Sequence, residues 1–153
     1  MLVQSMTSQA SIELLQRAEF VRLACANEGQ PYVSPMLVTY HADSLYAFAT
    51  LGTKIEWMRA NPLVCVEADE FVNRQDWATV IVFGRYEELP NTPAHDAIRT
   101  SAHALMQRRP AWWEPGYSKT IIDGIARPID PLYFRIRIKQ ITGRRGVPDR
   151  TAA

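Results

Sequence analysis

Short runs in which apolar and polar residues alternate, each closed by a tight polar turn, constrain this chain most, because that pattern suits a half-buried antiparallel sheet. Val21, Leu23 and Cys25 share one face of a strand over residues 20–26, and Asn27-Glu28-Gly29-Gln30 then supplies hairpin chemistry. The return strand covers 31–40, His41-Ala42-Asp43-Ser44 turns the chain again, and residues 45–50 alternate once more. Three strands joined this closely form an antiparallel meander. Residues 63–68 read as a buried strand ending in acidic Glu67, Asp69 and Glu70, and 73–76 as a turn. The longest strand candidate is 77–87, where Gly84 predicts a bulge or bend. A last strand over 132–141 turns Phe134, Ile136 and Ile138 inward and Arg135, Arg137 and Lys139 outward. So many short strands predict a barrel.

Helices punctuate the pattern. Residues 11–18 read as a short helix behind Ser11, and Thr92-Pro93 opens another that carries Ala94, Ala97, Ile98, Ala102, Leu105 and Met106 and stops at Arg108-Arg109-Pro110. Residues 111–131 are rich in proline and glycine and read as a long irregular segment holding Trp112 and Trp113. Those indoles either plug a barrel end or an interface, or stack on a planar ligand. Gly143-Arg144-Arg145-Gly146 follows the last strand, and a mobile tail finishes the chain.

The joint between the third strand and its helix carries the chemistry. Gly52 breaks the strand, Thr53 with Glu56 forms a capping box, and Asn61-Pro62 ends the helix after about two turns. Leu51, Ile55 and Met58 are placed on its inner face. Lys54 then stands in the first turn, where a cation opposes the macrodipole by roughly 0.3–1 kcal/mol. Either the ammonium points into water, or an anion such as a phosphate lies there with the hydroxyls of Thr50 and Thr53.

Composition narrows the class. A chain of 153 residues with 47% apolar residues is one ordered domain, with its core expected over 12–145. A net charge of +1 gives no reason to expect nucleic acid or a membrane surface, and the basic outer face of the last strand reads as solvated. No apolar run reaches the roughly 20 residues that span a bilayer. The start MLVQSMTSQAS has no secretion-signal pattern, so a cytoplasmic protein is expected. Cys25 and Cys65 read as reduced core residues, and His95 and His103 are spaced wrongly for a helical metal pair, so no metal is expected.

The stretches GQPYVSPM (29–36), LYAFATLGTKIEWMRANPLVCVEADE (45–70), WATVIVFGRYEELP (77–90) and YFRIRIKQITGR (133–144) resemble, in order and spacing, the pyridoxamine 5'-phosphate oxidase-like family. The branch they resemble most is the flavin-dependent oxidoreductases related to nitroimidazole reductases. The resemblance implies an α+β fold, a six-stranded antiparallel split β-barrel that forms a homodimer with FMN in each of two clefts between subunits. It implies that Pro35, Met36 and Leu37 lie along the flavin ring, that Thr50, Thr53 and Lys54 hold the phosphate, that Thr79 reaches the flavin, and that Trp112 or Trp113 covers the ring from the partner. The resemblance further implies an FMN-dependent oxidoreductase acting on a small molecule, with no side-chain acid or base required and no catalytic residue assigned. The alternatives are a non-catalytic protein holding flavin, FAD, deazaflavin or haem in the same cleft, and a structural dimer with an empty one. Two departures stand out. Thr53-Lys54 replaces the arginine-lysine pair of the pyridoxamine phosphate oxidases, which argues against that substrate, and Leu51-Gly52 stands where some nitroimidazole reductases carry a histidine.

Overall fold

The computed structural model describes residues 1–109 and 119–151. Its strands are β1 (Leu2–Ser5), β2 (Phe20–Asn27), β3 (Gln30–Leu37), β4 (Thr39–His41), β5 (Ser44–Ala49), β6 (Leu63–Asn73), β7 (Asp76–Leu89), β8 (Lys119–Ile122), β9 (Ile125–Pro128) and β10 (Leu132–Val147). Its helices are α1 (Ser8–Arg17), α2 (Thr53–Ala60) and α3 (Asp96–Gln107). Every ladder is antiparallel, and the main sheet runs β3-β2-β6-β7-β10-β5-β4 with β1 added to the far end of β10.

The two edges of that sheet, β3 and β4, are consecutive in the chain and are separated only by Val38. The Val38 N–H bonds to the Glu19 carbonyl at 3.4 Å instead of continuing a ladder. The single strand expected over 31–40 is thus broken, and the barrel closes covalently at one residue while its edges stay unladdered. Counting β3 and β4 as one bent strand leaves six long strands, the architecture of a split barrel.

Leu23, Leu45, Val66, Val80, Val82, Phe134 and Ile136 fill the interior, with Leu14 and Leu15 of α1 and Ile55 and Met58 of α2 against them. A smaller cluster, Tyr46, Leu89, Ala102, Met106 and Tyr133, lies where α3 covers the outer side of β5 and β10. Fully burying such side chains contributes roughly 1.5–3 kcal/mol each.

Several sequence expectations shift. Helix α1 starts earlier than residue 11, because the Thr7 hydroxyl accepts the Ala10 N–H at 3.1 Å and Ser11 becomes a buried residue inside it. A three-residue 3-10 turn, Pro93–His95, precedes α3, and the Thr92 hydroxyl meets His95 Nδ1 at 2.8 Å instead of capping. The bulge expected near Gly84 is carried by β10, between Ile138 and Gln140, which pair with Gly84 and Phe83. Gly84 itself has no room for a side chain: a Cβ there would stand 2.5 Å from Ile136 Cγ2 and 2.7 Å from the Arg137 carbonyl oxygen. Ile138 is only half-buried, while Gly143 and Gly146 are buried within β10, paired with β1 and β7, beyond residue 141 where the last strand was expected to end. Within the segment read as irregular, β8 and β9 form an exposed hairpin about Asp123 (φ 52°) and Gly124 (φ 77°). Two left-handed residues in a two-residue loop match the twist of the flanking strands.

Candidate functional site: a cavity at the barrel seam

The unladdered seam is the mouth of a cavity of about 480 Å³, within the range of about 300–1,000 Å³ typical of small-molecule sites. One wall is the crossing segment itself, with Pro35, Met36, Leu37, Val38 and Thr39. The opposite wall is the end of β5, with Phe48, Ala49 and Thr50, and then Lys54 of α2. Met106 and Arg109 from the end of α3, and Lys119 and Thr120 from β8, complete it. Glu19, Phe20 and Ile129 also line it, and a mostly apolar slot with Thr50 and Lys54 at its α2 end suits a flat ring system carrying a charged tail.

That polar end is set by how α2 begins. Gly52, not Thr53, occupies the cap position, and its carbonyl accepts the Glu56 N–H at 3.0 Å. Thr53 is therefore the first helical residue and makes no capping bond, so the expected capping box does not form. The first-turn N–H groups remain without a side-chain acceptor and present the positive end of the helix. Lys54 is half-buried there, and among the described residues no carboxylate pairs with it. Burial pushes its ammonium below the usual lysine value, and only the Cys25 thiol, when ionised, opposes this. A partly desolvated cation without a counterion is costly unless a ligand supplies the charge.

Of the residues singled out in the sequence, Pro35, Met36, Leu37, Thr50 and Lys54 come together in this cavity. Thr53 adjoins it as the residue between Gly52 and Lys54 but is not among its described lining residues. Thr79 is also absent from that lining and stands on β7 opposite Asp69 and Arg144. By alternation it shares the outer face of β7 with Ile81 and Phe83. Val33, Ala24, Cys65 and Phe83 form a row across β3, β2, β6 and β7 on that outer face, and Pro35 and Leu37 of the cavity wall stand on the same side. Trp112 and Trp113 lie outside the described residues. Leu51, expected on the inner face of α2, is instead 59% exposed.

Sequence reasoning missed Arg109 and Lys119. Arg109 read only as part of a helix stop, yet its Nη1 and Nη2 donate to the Gln16 and Ala18 carbonyls at 2.7 and 2.5 Å, closing the end of α1 with a cation. No local spacing signals a contact between residues so far apart. Lys119 belongs to the hairpin whose Asp123-Gly124 turn, flanked by Ile122 and Ile125, was the available signal.

The chain matches the profile described as pyridoxamine 5'-phosphate oxidase over residues 7–145. It is 35% identical, over 94% of its length and 95% of the relative's, to an uncharacterized protein of Rhizobium meliloti. Among solved structures it is similar to a FAD-binding protein of Mesorhizobium loti, with 38% identity, a TM-score of 0.77, and coverage of 97% of this chain and 99% of that one. The FAD-binding protein of Mycobacterium smegmatis shares the fold at 17% identity, with a TM-score of 0.70 over 95% and 100% of the two chains. Sheet order, seam and profile agree, and the chain belongs to the pyridoxamine 5'-phosphate oxidase-like family of split-barrel proteins.

Proposed function

We propose that this protein is a flavin-dependent oxidoreductase acting on a small molecule, with the flavin seated in the seam cavity. The observation that carries the reading is Lys54: a half-buried ammonium, unpaired among the described residues, beside an uncapped helix start and the Thr50 hydroxyl. A phosphate monoester supplies the missing charge and accepts the open N–H groups. The apolar wall of Pro35, Met36, Leu37 and Phe48 fits the ring, and the FAD-binding relative at 38% identity favours a flavin as the occupant. FMN is the smallest flavin with both parts.

The flavin supplies the redox chemistry, accepting electrons from a reduced donor and passing them to an acceptor. The chain's own part is to grip the phosphate through Thr50, Thr53 and Lys54, to press the ring against the crossing segment, and to keep water from one ring face. No side-chain acid or base is assigned. The outer row of Val33, Cys65 and Phe83 is an apolar surface continuous with the cavity mouth, and a second copy docked there encloses the flavin. In that homodimer Thr79 of one copy faces the flavin of the other.

The test is the spectrum of the purified protein. Flavin absorption bands that bleach with a reduced nicotinamide and return in air, on a particle of dimer mass, are the expected result. A colourless protein that fails to bind added FMN or FAD contradicts the reading, and bound flavin that no donor reduces turns it into a binding protein.

A further inference from the structure

Arg109 is a partly buried cation without a carboxylate partner among the described residues, although Arg17, Arg22, Arg59, Arg135 and Arg137 each meet one. Its Nη1 and Nη2 donate to the Gln16 and Ala18 carbonyls, and its buried Nε has no acceptor there. Tying down the end of α1 explains where the side chain sits but leaves its charge unmatched. Lys119 of β8 is likewise without a carboxylate among the described residues, and both side chains line the seam cavity. Building on the flavin reading above, we infer that the small molecule acted on carries a single carboxylate, which Arg109 and Lys119 receive beside the flavin ring.

Chain connectivity puts Arg109 by the ring and not by the phosphate. It is fixed at Ala18, just before Phe20, and Phe20 pairs with Leu37 of the crossing segment against which the ring is pressed. Glu19, the residue between, accepts the Val38 N–H at 3.4 Å. Lys54 and Thr50 belong instead to α2 and the strand end before it, so the flavin tail and the substrate carboxylate meet different cations. The Thr39 side chain, only 7% exposed, lines the same cavity next to Val38, and its hydroxyl bonds to no other described residue. A buried hydroxyl left so is unfavourable, and a carboxylate oxygen is an acceptor that it can meet.

The charge balance selects a monoanion. Glu19 also lines the cavity, yet it pairs with neither Arg109 nor Lys119. With Lys54 and the α2 start given to the flavin phosphate, two cations and one carboxylate leave one positive charge for the substrate. That suits a carboxylate and falls short of a phosphate dianion, whose second charge would be desolvated without a match. After its two backbone bonds the Arg109 guanidinium keeps an N–H on each terminal nitrogen, a fork already oriented by the Gln16 and Ala18 carbonyls. Lys119 stands on a hairpin whose strands pair only with each other, and its flexible stem lets the ammonium follow the carboxylate.

The experiment titrates the flavin-loaded full-length protein with benzoate, benzamide and phenyl phosphate, reading the shift of the flavin absorption band, for the wild type and for Arg109→Gln and Lys119→Met. The expected result is benzoate binding at least about tenfold tighter than its neutral amide, and tighter than the phosphate dianion. Lys119 is exposed and takes no part in the α1 tie, so Lys119→Met should weaken benzoate about two- to fivefold, leave benzamide unchanged and keep the flavin bound. Arg109→Gln should remove the preference for benzoate over benzamide, a ratio that a purely structural arginine would leave alone. If Arg109→Gln fails to fold, Lys119→Met and the wild-type affinities still decide. Benzoate that binds no better than benzamide, tighter binding of phenyl phosphate, or wild-type benzoate affinity in Lys119→Met overturns the carboxylate assignment alone. A wild type that takes up neither FMN nor FAD overturns it together with the flavin reading beneath it.

Discussion

Two sets of cations in this protein stand in contrast. On the outer face of β7 and β10, Glu87 takes Arg135 at 2.7 Å and Arg137 at 2.6 Å, and elsewhere Arg59 meets Glu88, Arg22 meets Asp69 and Arg17 meets Glu70. At the seam, Lys54 is half-buried and has no carboxylate among the described residues. The sheet face shows that the fold readily matches charges across strands. At the first turn of α2 no described carboxylate does the same for Lys54, and the function proposed above has a ligand bring the matching charge. A cation that folding alone selected would gain a partner or move into water.

That contrast can be broken or sharpened by removing cations one at a time. The largest effect on stability is expected for Arg135→Met: this side chain is mostly buried and its loss removes a charge-assisted hydrogen bond, leaving Glu87 with Arg137 alone, which should cost about 1–3 kcal/mol in denaturant unfolding. A loss below a few tenths of a kcal/mol would show that the paired face contributes nothing and would weaken the comparison. Next comes Arg17→Ala, where both partners are about half exposed and the expected cost is about 0.2–1 kcal/mol, shrinking in high salt. Smallest is Lys54→Met in the flavin-free protein, whose unfolding midpoint should stay level or rise, since the variant removes a desolvated charge and no ion pair.

Acidity offers a finer probe of the same difference. Because burial lowers the Lys54 value in the folded state, the folded chain binds fewer protons than the unfolded one between that value and the ordinary 10.5. Stability of the flavin-free protein should thus rise as pH climbs through that window, and Lys54→Met should remove that rise. Glu87 also makes stability rise with pH, but at the acid end of the scale. Its hydrogen bond from Arg135, with that from Arg137, holds it below the ordinary 4.5, so its contribution is present above 4.5 and is lost as pH falls through the depressed value. Acid unfolding curves of wild type and Glu87→Gln should converge at low pH; curves that stay parallel would contradict the assignment.

How much of this was legible in the sequence depends on the range of the forces involved. Alternation at Val21, Leu23 and Cys25, or at Phe134 and Ile136, is local, and those residues are buried as the pattern demands. The split at Val38 was not legible, because it depends on two sheet edges meeting through one residue. Strand β1 was missed for a similar reason: its four residues are exposed and are held by pairing with the far end of β10. Gly84 was rightly picked out as special, but for close approach of Ile136 and Arg137, not for a bulge of its own. At the site, the lysine opposing the helix dipole was legible from local chemistry. Arg109 and Lys119 come to the cavity through packing between α3, the hairpin and the seam, which no spacing along the chain encodes.

The central claim is that the Lys54 ammonium is kept for a ligand's phosphate. Its most direct test is flavin titration of wild type and Lys54→Met, with circular dichroism of both flavin-free proteins as the control for folding. Loss of one charge-assisted contact of about 1.5–3 kcal/mol predicts about 10- to 150-fold weaker flavin binding by a variant that is folded as well as the wild type. A variant that retains one flavin per chain at wild-type affinity would contradict the account.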